Sequence, residues 1–250
     1  MVVIKKKKLR DADRGMTGAR PVRAVLFDLD GTLVDSEIHT DQSISAALAQ
    51  YGIAGFALPH TETRGRTWAY IADKIRARTK IDRATQVIAA DLLAHWNDVA
   101  TDVKPIPGAA EAVRAAAARN LKLGVVSSSP RSVIDSFLDK LGVGDCIDRR
   151  ARIGGDAVSN TKPDPEGYLL AASALDIDPA DTLVFEDSRA GLLAARAAGM
   201  RSVFVTCCAP DVATNTALAT AACTDYRALP PRFWDELADG SCDLANRSFT

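Results

Sequence analysis

Asp28 and Asp30 stand two positions apart at the end of an apolar run, in RAVLFDLDGTLVDSE (residues 23–37), with Gly31 directly after them. Such a pair is either solvated in an exposed turn or held in place for chemistry. Three further stretches bear on the choice. VVSSSP (residues 125–130) sets Ser127, Ser128 and Ser129 after a second apolar run. TKPDPEGY (residues 161–168) offers Lys162, and VFEDSRAGLLAARAAGM (residues 184–200) runs from an apolar segment straight into Glu186 and Asp187. Two like unit charges about 4 Å apart repel by about 4 kcal/mol at an effective dielectric constant of about 20, so a pocket gathering these carboxylates needs positive charge among them. Oxygen donors without histidine or thiolate suit Mg²⁺, which keeps several waters and takes one or two carboxylates plus a substrate phosphate. A divalent ion amid Asp28, Asp30, Glu186 and Asp187, together with Lys162 and a serine hydroxyl, would receive a phosphate dianion.

These residues need a scaffold, and the rest of the sequence supplies one. Apolar runs of strand length recur at residues 22–27, 121–126, 182–185 and 202–205, and alanine-rich segments of helical periodicity lie at 109–120 and 189–200. Continuous apolar strands alternating with helices indicate a parallel sheet covered on both faces. In such sheets ligands bind beyond the carboxyl ends of the strands, where Asp28, Asp30, Ser127, Glu186 and Asp187 fall. Pro163 biases Lys162 toward an extended backbone, Asp164 and Pro165 resemble an N-cap and first helical residue, and Ser188 can cap the helix that Gly199 ends. Residues 36–104 carry helical patterns without a clear strand and close at KPIPGAAEAV, where Pro105, Pro107 and Gly108 read as a turn. The expected fold is α/β, a Rossmann-like parallel sheet built from residues 21–35 and 105–250, with a helical insertion at 36–104 and a disordered extension at 1–20.

Composition narrows the partners. The chain has 250 residues, 47% hydrophobic and 25% charged, with a formal net charge of -1, which points away from nucleic acid and membrane surfaces and toward a small molecule. Five cysteines, an odd number without C-x-x-C spacing, fit a reducing cytoplasm rather than a disulfide framework. The adjacent Cys207 and Cys208, after the fourth apolar run, read as packing residues. His39, His60 and His95 are too scattered for a zinc site. The start, MVVIKKKKLRDADRGMTGARP, puts its lysines after only a short apolar tip, unlike an export signal. No apolar run reaches the about 18 residues of a membrane span.

With four ordered motifs (FDLDGTLVDSE, VVSSSP, TKPDPEGY and VFEDSRAGLLAARAAGM) the chain resembles the haloacid dehalogenase superfamily over residues 22–227. The likeness is to the subgroup with a helical cap domain after the first motif, which includes β-phosphoglucomutase-like enzymes and sugar-phosphate phosphatases. The resemblance implies that Asp28 is the nucleophile, forming an aspartyl-phosphate, and that Asp30 is the general acid and base. It implies Mg²⁺ held by the Asp28 carboxylate, the Asp30 backbone carbonyl and Asp187, with Glu186 as a further ligand or beside one. Ser127 and Lys162 would bind the phosphoryl oxygens, and Ser128 and Ser129 would add backbone N–H groups or cap the next helix.

The superfamily hosts several reactions, so the residues must choose among them. A dehalogenase has no need of Asp30, and a phosphonate hydrolase of this group lacks the second aspartate and uses a cap lysine. Mutases of the β-phosphoglucomutase type carry a histidine five residues beyond the aspartate matching Asp35. That position is Thr40 here, and His39, one residue earlier, is turned by about 100° on a helix. The expectation is a Mg²⁺-dependent phosphatase of a small, sugar-like phosphate ester, with a mutase or a non-catalytic phosphometabolite binder as alternatives. The oligomeric state is left open. In the insertion His39, Thr40, Arg64, Arg66 and Trp68 are candidates for reading the substrate, although arginine and tryptophan there also suit surface and core.

Overall fold

The computed structural model describes residues 20–245 and 247–250, so the extension expected at 1–20 lies, Arg20 apart, outside the described residues. Its strands are β1 (Ala24–Phe27), β2 (Val34–Asp35), β3 (Lys104–Pro105), β4 (Lys122–Val126), β5 (Arg152–Ile153), β6 (Thr182–Glu186), β7 (Arg201–Val205), β8 (Ala221–Cys223) and β9 (Arg247–Phe249). Its α-helices are α1 (Glu37–Gln50), α2 (Trp68–Arg78), α3 (Thr85–Val99), α4 (Ala109–Ala117), α5 (Arg131–Lys140), α6 (Glu166–Leu175), α7 (Arg189–Ala197), α8 (Val212–Thr216) and α9 (Phe233–Asp239).

Seven strands form one parallel sheet in the order β5-β4-β1-β6-β7-β8-β9. The four expected runs all become strands of this sheet. Val22 and Leu121 stay outside the ladder, the Val22 N–H donating instead to Leu237 O at 2.9 Å. β1 is buried along its whole length because helices cover both faces, as its unbroken AVLF requires. On one face Phe27 stacks on Phe185 with ring centroids 5.4 Å apart, over Tyr226, Phe233 and Trp234. On the other, Leu26 and Val184 meet Tyr168 and Ala171 of α6. Truncating a ring such as Phe27 in this layer costs about 3–5 kcal/mol.

The chain winds outward from β1 through β4 to β5, then crosses back to build β6 to β9 on the other side of β1. Phe27 is in register with both Val125 and Phe185, so the residues following β1, β4 and β6 emerge side by side. This reversal is where open α/β sheets bind ligands.

Between β2 and β3 the chain is helical. α1, α2 and α3 bury Ile44, Leu48, Ile71, Ile75, Ile88 and Leu92 against one another, a core separate from that of the sheet. The segment is left and rejoined through a two-stranded antiparallel pair, Val34 opposite Pro105 and Asp35 opposite Lys104. Among the described residues no helix is long and apolar enough to cross a membrane.

Candidate active site

At the carboxyl end of β1 the Asp28 N–H continues the ladder, donating to Phe185 O at 3.0 Å, and this fixes the side chain over the sheet edge. Lys162 reaches it from the loop before α6. Its ammonium is buried and donates to Asp28 Oδ1 at 2.6 Å, Glu186 Oε1 at 2.5 Å and Val126 O at 3.1 Å. Burial alone would lower the lysine pKa, but the Asp28 and Glu186 carboxylates overrule it and hold the group well above its usual value, hence charged. The Lys162 loop is ordered locally as expected, except that α6 begins at Glu166. Pro165 is the cap residue, while the Asp164 carboxylate accepts the Glu166 N–H at 3.0 Å.

Glu186, expected as a metal ligand or a neighbour of one, is fully committed to hydrogen bonds. Oε1 accepts from Lys162 and from Tyr168 OH at 3.0 Å, and Oε2 accepts the Ser188 N–H at 2.8 Å and the Ser188 hydroxyl at 2.9 Å. Ser188 in turn caps α7 by accepting the Gly191 N–H at 3.0 Å. A Cβ at position 191 would overlap the Glu186 carboxylate, which explains that glycine. The geometry thus makes Glu186 the residue that aims Lys162, although its carboxylate also lies in the acidic cluster described below.

Asp30 sits in a cradle of hydroxyls. Oδ1 accepts from Ser36 at 2.7 Å, and Oδ2 from Ser127 at 3.0 Å and Ser129 at 2.8 Å. Ser127, expected on the phosphate, is therefore beside Asp30 and accepts the Ser129 N–H at 2.9 Å. Ser128, also expected at the phosphate but through its backbone N–H or as a cap, turns its hydroxyl elsewhere: it donates to Gly65 O at 2.8 Å. Of that pair only Ser127 presents its hydroxyl within the cradle.

Asp187 completes the group. One carboxylate oxygen each from Asp28, Glu186 and Asp187 lie within 4.8 Å of one another, all buried. Thr32 donates to Asp187 Oδ1 at 3.3 Å, but Oδ2 is buried without a hydrogen-bond partner. Gly31, at φ +78°, lies so close that any Cβ would collide with the Asp187 carboxylate. Burial, then the Glu186, Glu37 and Asp28 charges, raise the Asp187 pKa well above the carboxylate range. Asp28 is raised likewise, by burial first and then by Glu186 and Asp30, against the pull of Lys162. An orphaned buried oxygen amid close carboxylates is a site short of positive charge, and a hard divalent cation with oxygen preference fits this donor set. The Asp30 side chain, turned to its serines, is outside the cluster.

The helical segment covers this edge. Glu37, Thr40, Thr63, Arg66 and Trp68 line a small cavity with Asp28 and Asp30. Arg66 donates to Lys162 O at 2.6 Å and lies over the Tyr70 ring, 4.6 Å from its centroid. Arg64 points to Glu37 at 3.6 Å and Asp187 at 3.7 Å and donates to Cys208 O. Burial pushes Glu37 up to about 7 despite Arg64, with Asp30 adding repulsion. His39 does not line this cavity; its Nδ1 is 3.3 Å from Gln42 Oε1. Sequence reasoning missed Tyr168, Ser36 and Glu37. All three stood inside the quoted motifs, but only tertiary contacts assign their tasks.

The profile of the family described as "Haloacid dehalogenase-like hydrolase" matches residues 25–205. The chain is 34% identical to validoxylamine A 7'-phosphate phosphatase of Streptomyces hygroscopicus subsp. limoneus over 192 residues, 74% of this chain and 85% of the relative. It is 30% identical to hexitol phosphatase B of Escherichia coli (strain K12) over 195 residues, 76% of this chain and 86% of that one. In fold it superposes on β-phosphoglucomutase from Clostridium difficile with a TM-score of 0.73 at 21% identity, covering 87% of this chain and 97% of the other. Profile, relatives and fold agree with the geometry at the end of β1, and the chain belongs to the haloacid dehalogenase-like hydrolases.

Proposed function

We propose that this protein is a Mg²⁺-dependent phosphatase that hydrolyses small, sugar-like phosphate monoesters through an aspartyl-phosphate on Asp28. The observation that carries the reading is the pairing of the buried Asp28 with Lys162, beside the unpartnered Asp187 oxygen. Two relatives whose names are those of phosphatases, one of validoxylamine A 7'-phosphate and one a hexitol phosphatase, support the substrate class. Asp28, the Asp30 backbone carbonyl and Asp187 would hold the cation, with Glu186 at its margin. When bound, the cation neutralises carboxylate repulsion and draws phosphoryl charge.

The protein's own groups do the rest. Asp28 attacks phosphorus from its fixed place on β1, its anionic form favoured by Lys162 and, against burial and the neighbouring carboxylates, by the cation the site would hold. Lys162 and the Ser127 hydroxyl receive phosphoryl oxygens, stabilising charge as it spreads over them. Asp30 gives its proton to the leaving alcohol and later takes one from the water that cleaves the acyl phosphate. The helical segment acts as a cap domain over residues 21–35 and 105–250, Arg66 and Trp68 narrowing the cavity to exclude bulk water during attack. The free state of all five cysteines supports a reducing, cytoplasmic setting.

Mutases of the β-phosphoglucomutase type carry a histidine at the position of Thr40. Thr40 lines the cavity and His39 does not, which favours hydrolysis. The test is phosphate release from p-nitrophenyl phosphate and a panel of sugar and polyol phosphates, with and without Mg²⁺, alongside product analysis on β-glucose 1-phosphate. Mg²⁺-dependent release that vanishes in Asp28→Asn is expected. Absence of Mg²⁺-dependent turnover across the panel, or formation of glucose 6-phosphate faster than release of phosphate, would overturn the reading.

A further inference from the structure

β7 ends at Val205, and the chain turns at once through Thr206, Cys207, Cys208 and Ala209, the Ala209 N–H donating back to Thr206 O at 3.2 Å. Of the two cysteines only Cys208 packs as the sequence suggests, half-buried against the main core, while Cys207 is exposed. Cys207 is tied on its strand side, its N–H donating to Thr224 O at 2.9 Å. Cys208 is tied on the other: its carbonyl accepts the Arg64 guanidinium, which comes from the helical segment and also faces Glu37 and Asp187. The turn thus joins an exposed pair of adjacent thiols to the arginine that pins residues 60–67 against the site.

We infer that Cys207 and Cys208 are a vicinal dithiol site that hydrogen peroxide closes to a disulfide, and that closure withdraws the Cys208 carbonyl from Arg64. The Cys207 thiolate attacks one peroxide oxygen, the O–O bond breaks, and a sulfenic acid forms with release of hydroxide, which takes up a proton to become water. The Cys208 sulfur then attacks the Cys207 sulfur and the S–O bond breaks. The departing hydroxide leaves as water with the Cys208 proton. Two electrons pass from the two thiols to one peroxide. The roles suit the pair, since the neighbouring Cys208 draws the Cys207 thiol below its ordinary range, while Cys207 and burial push that of Cys208 up.

Ring closure between neighbours fixes ψ of Cys207 and φ of Cys208 together. The strand side is held by Thr224, so the adjustment falls on the Cys208 carbonyl. Adjacent Cα atoms are about 3.8 Å apart across a trans peptide, below the about 4.4 Å lower limit usual for disulfides, so the bond is strained and readily reduced again.

The experiment treats the reduced full-length protein with hydrogen peroxide and follows intact mass, alkylation and hydrogen exchange. Expected is a loss of two hydrogens reversed by dithiothreitol, with fragmentation placing the bond between Cys207 and Cys208. A Cys223→Ala background separates it from the third thiol in the same tryptic peptide. Exchange of residues 60–67 should quicken about tenfold on oxidation, the worth of one hydrogen bond to a charged group, and stay unchanged in peroxide-treated Cys208→Ser. Persisting alkylation of both thiols, or a bond to Cys223 or to a second molecule, would refute the site, and unchanged exchange despite the vicinal bond would refute its link to Arg64. Neither readout requires turnover, so failure of the phosphatase reading would leave this result standing.

Discussion

Replacing Glu186 by glutamine separates two roles that its position permits, aiming Lys162 or binding metal. In the parent its two oxygens only accept, from Lys162 and Tyr168 on one side and from the Ser188 N–H and hydroxyl on the other. A glutamine amide must turn its NH₂ toward one of those sides, so a buried donor meets donors and a charge-assisted bond is lost or weakened. Losing such a bond costs about 1.5–3 kcal/mol, and a buried unsatisfied donor a further about 1–3 kcal/mol. Against this stands relief of repulsion, since the Glu186 charge helps to raise both Asp28 and Asp187. The net expectation is about 2–4 kcal/mol of destabilisation in metal-stripped protein, a fall in Tm of about 10 °C for a chain of this size. Asp187→Asn should do the opposite, because its Oδ2 accepts no hydrogen bond and faces Arg64 only at 3.7 Å, while burial and three carboxylates oppose its charge: about 1 kcal/mol more stability without metal. Urea unfolding of the EDTA-treated proteins at neutral pH, with equal m-values, measures both. Metal-free Glu186→Gln as stable as the parent would refute the aiming role and leave Glu186 as a metal ligand.

Further expectations follow from the same geometry. Mg²⁺ at 100 times its Kd should raise parental stability by about 2.7 kcal/mol and leave Asp187→Asn nearly unmoved, read as a difference in thermal midpoint. Glu37, at about 7 in the fold against its usual about 4.5, keeps a proton that the unfolded chain gives up. Metal-free stability should therefore fall as pH rises from about 4.5 through about 7, by about 3 kcal/mol from this group, and Glu37→Gln should flatten that part of the profile in urea melts. Gly191→Ala drives a methyl into the Glu186 carboxylate and should cost about 1–3 kcal/mol, with turnover falling as Lys162 shifts; calorimetry and kinetics together check it.

Legibility in the sequence followed the range of the interactions. β1, β4, β6 and β7 are continuous apolar runs, and burial on both faces is what makes such runs readable. β5, β8 and β9 have two or three residues each and form only because a neighbouring strand is already in place. Asp28, Lys162 and Asp187 could be read because each sits within a few residues of a strand end or a proline-stiffened loop. The Ser128 hydroxyl could not be separated from that of Ser127 by position alone, as its partner, Gly65 O, lies 63 residues away in the chain. Arg64 was readable only as a candidate, because Glu37, Asp187 and Cys208 meet it from three different segments.

The serine cradle around Asp30 has a bearing on timing. All three of its hydroxyl donors are occupied before any ligand arrives, so no donor there waits desolvated and unsatisfied. If Ser127 turns to a phosphoryl oxygen, as proposed above, the exchange of one acceptor for another is nearly neutral for the serine. For Asp30 the same turn vacates an acceptor position on Oδ2, which a ligand hydroxyl can take. Binding of the ester would thereby open the cradle to the leaving alcohol, and departure of phosphate would return Ser127 and close it. Access to Asp30 would be gated by occupancy of the phosphate position.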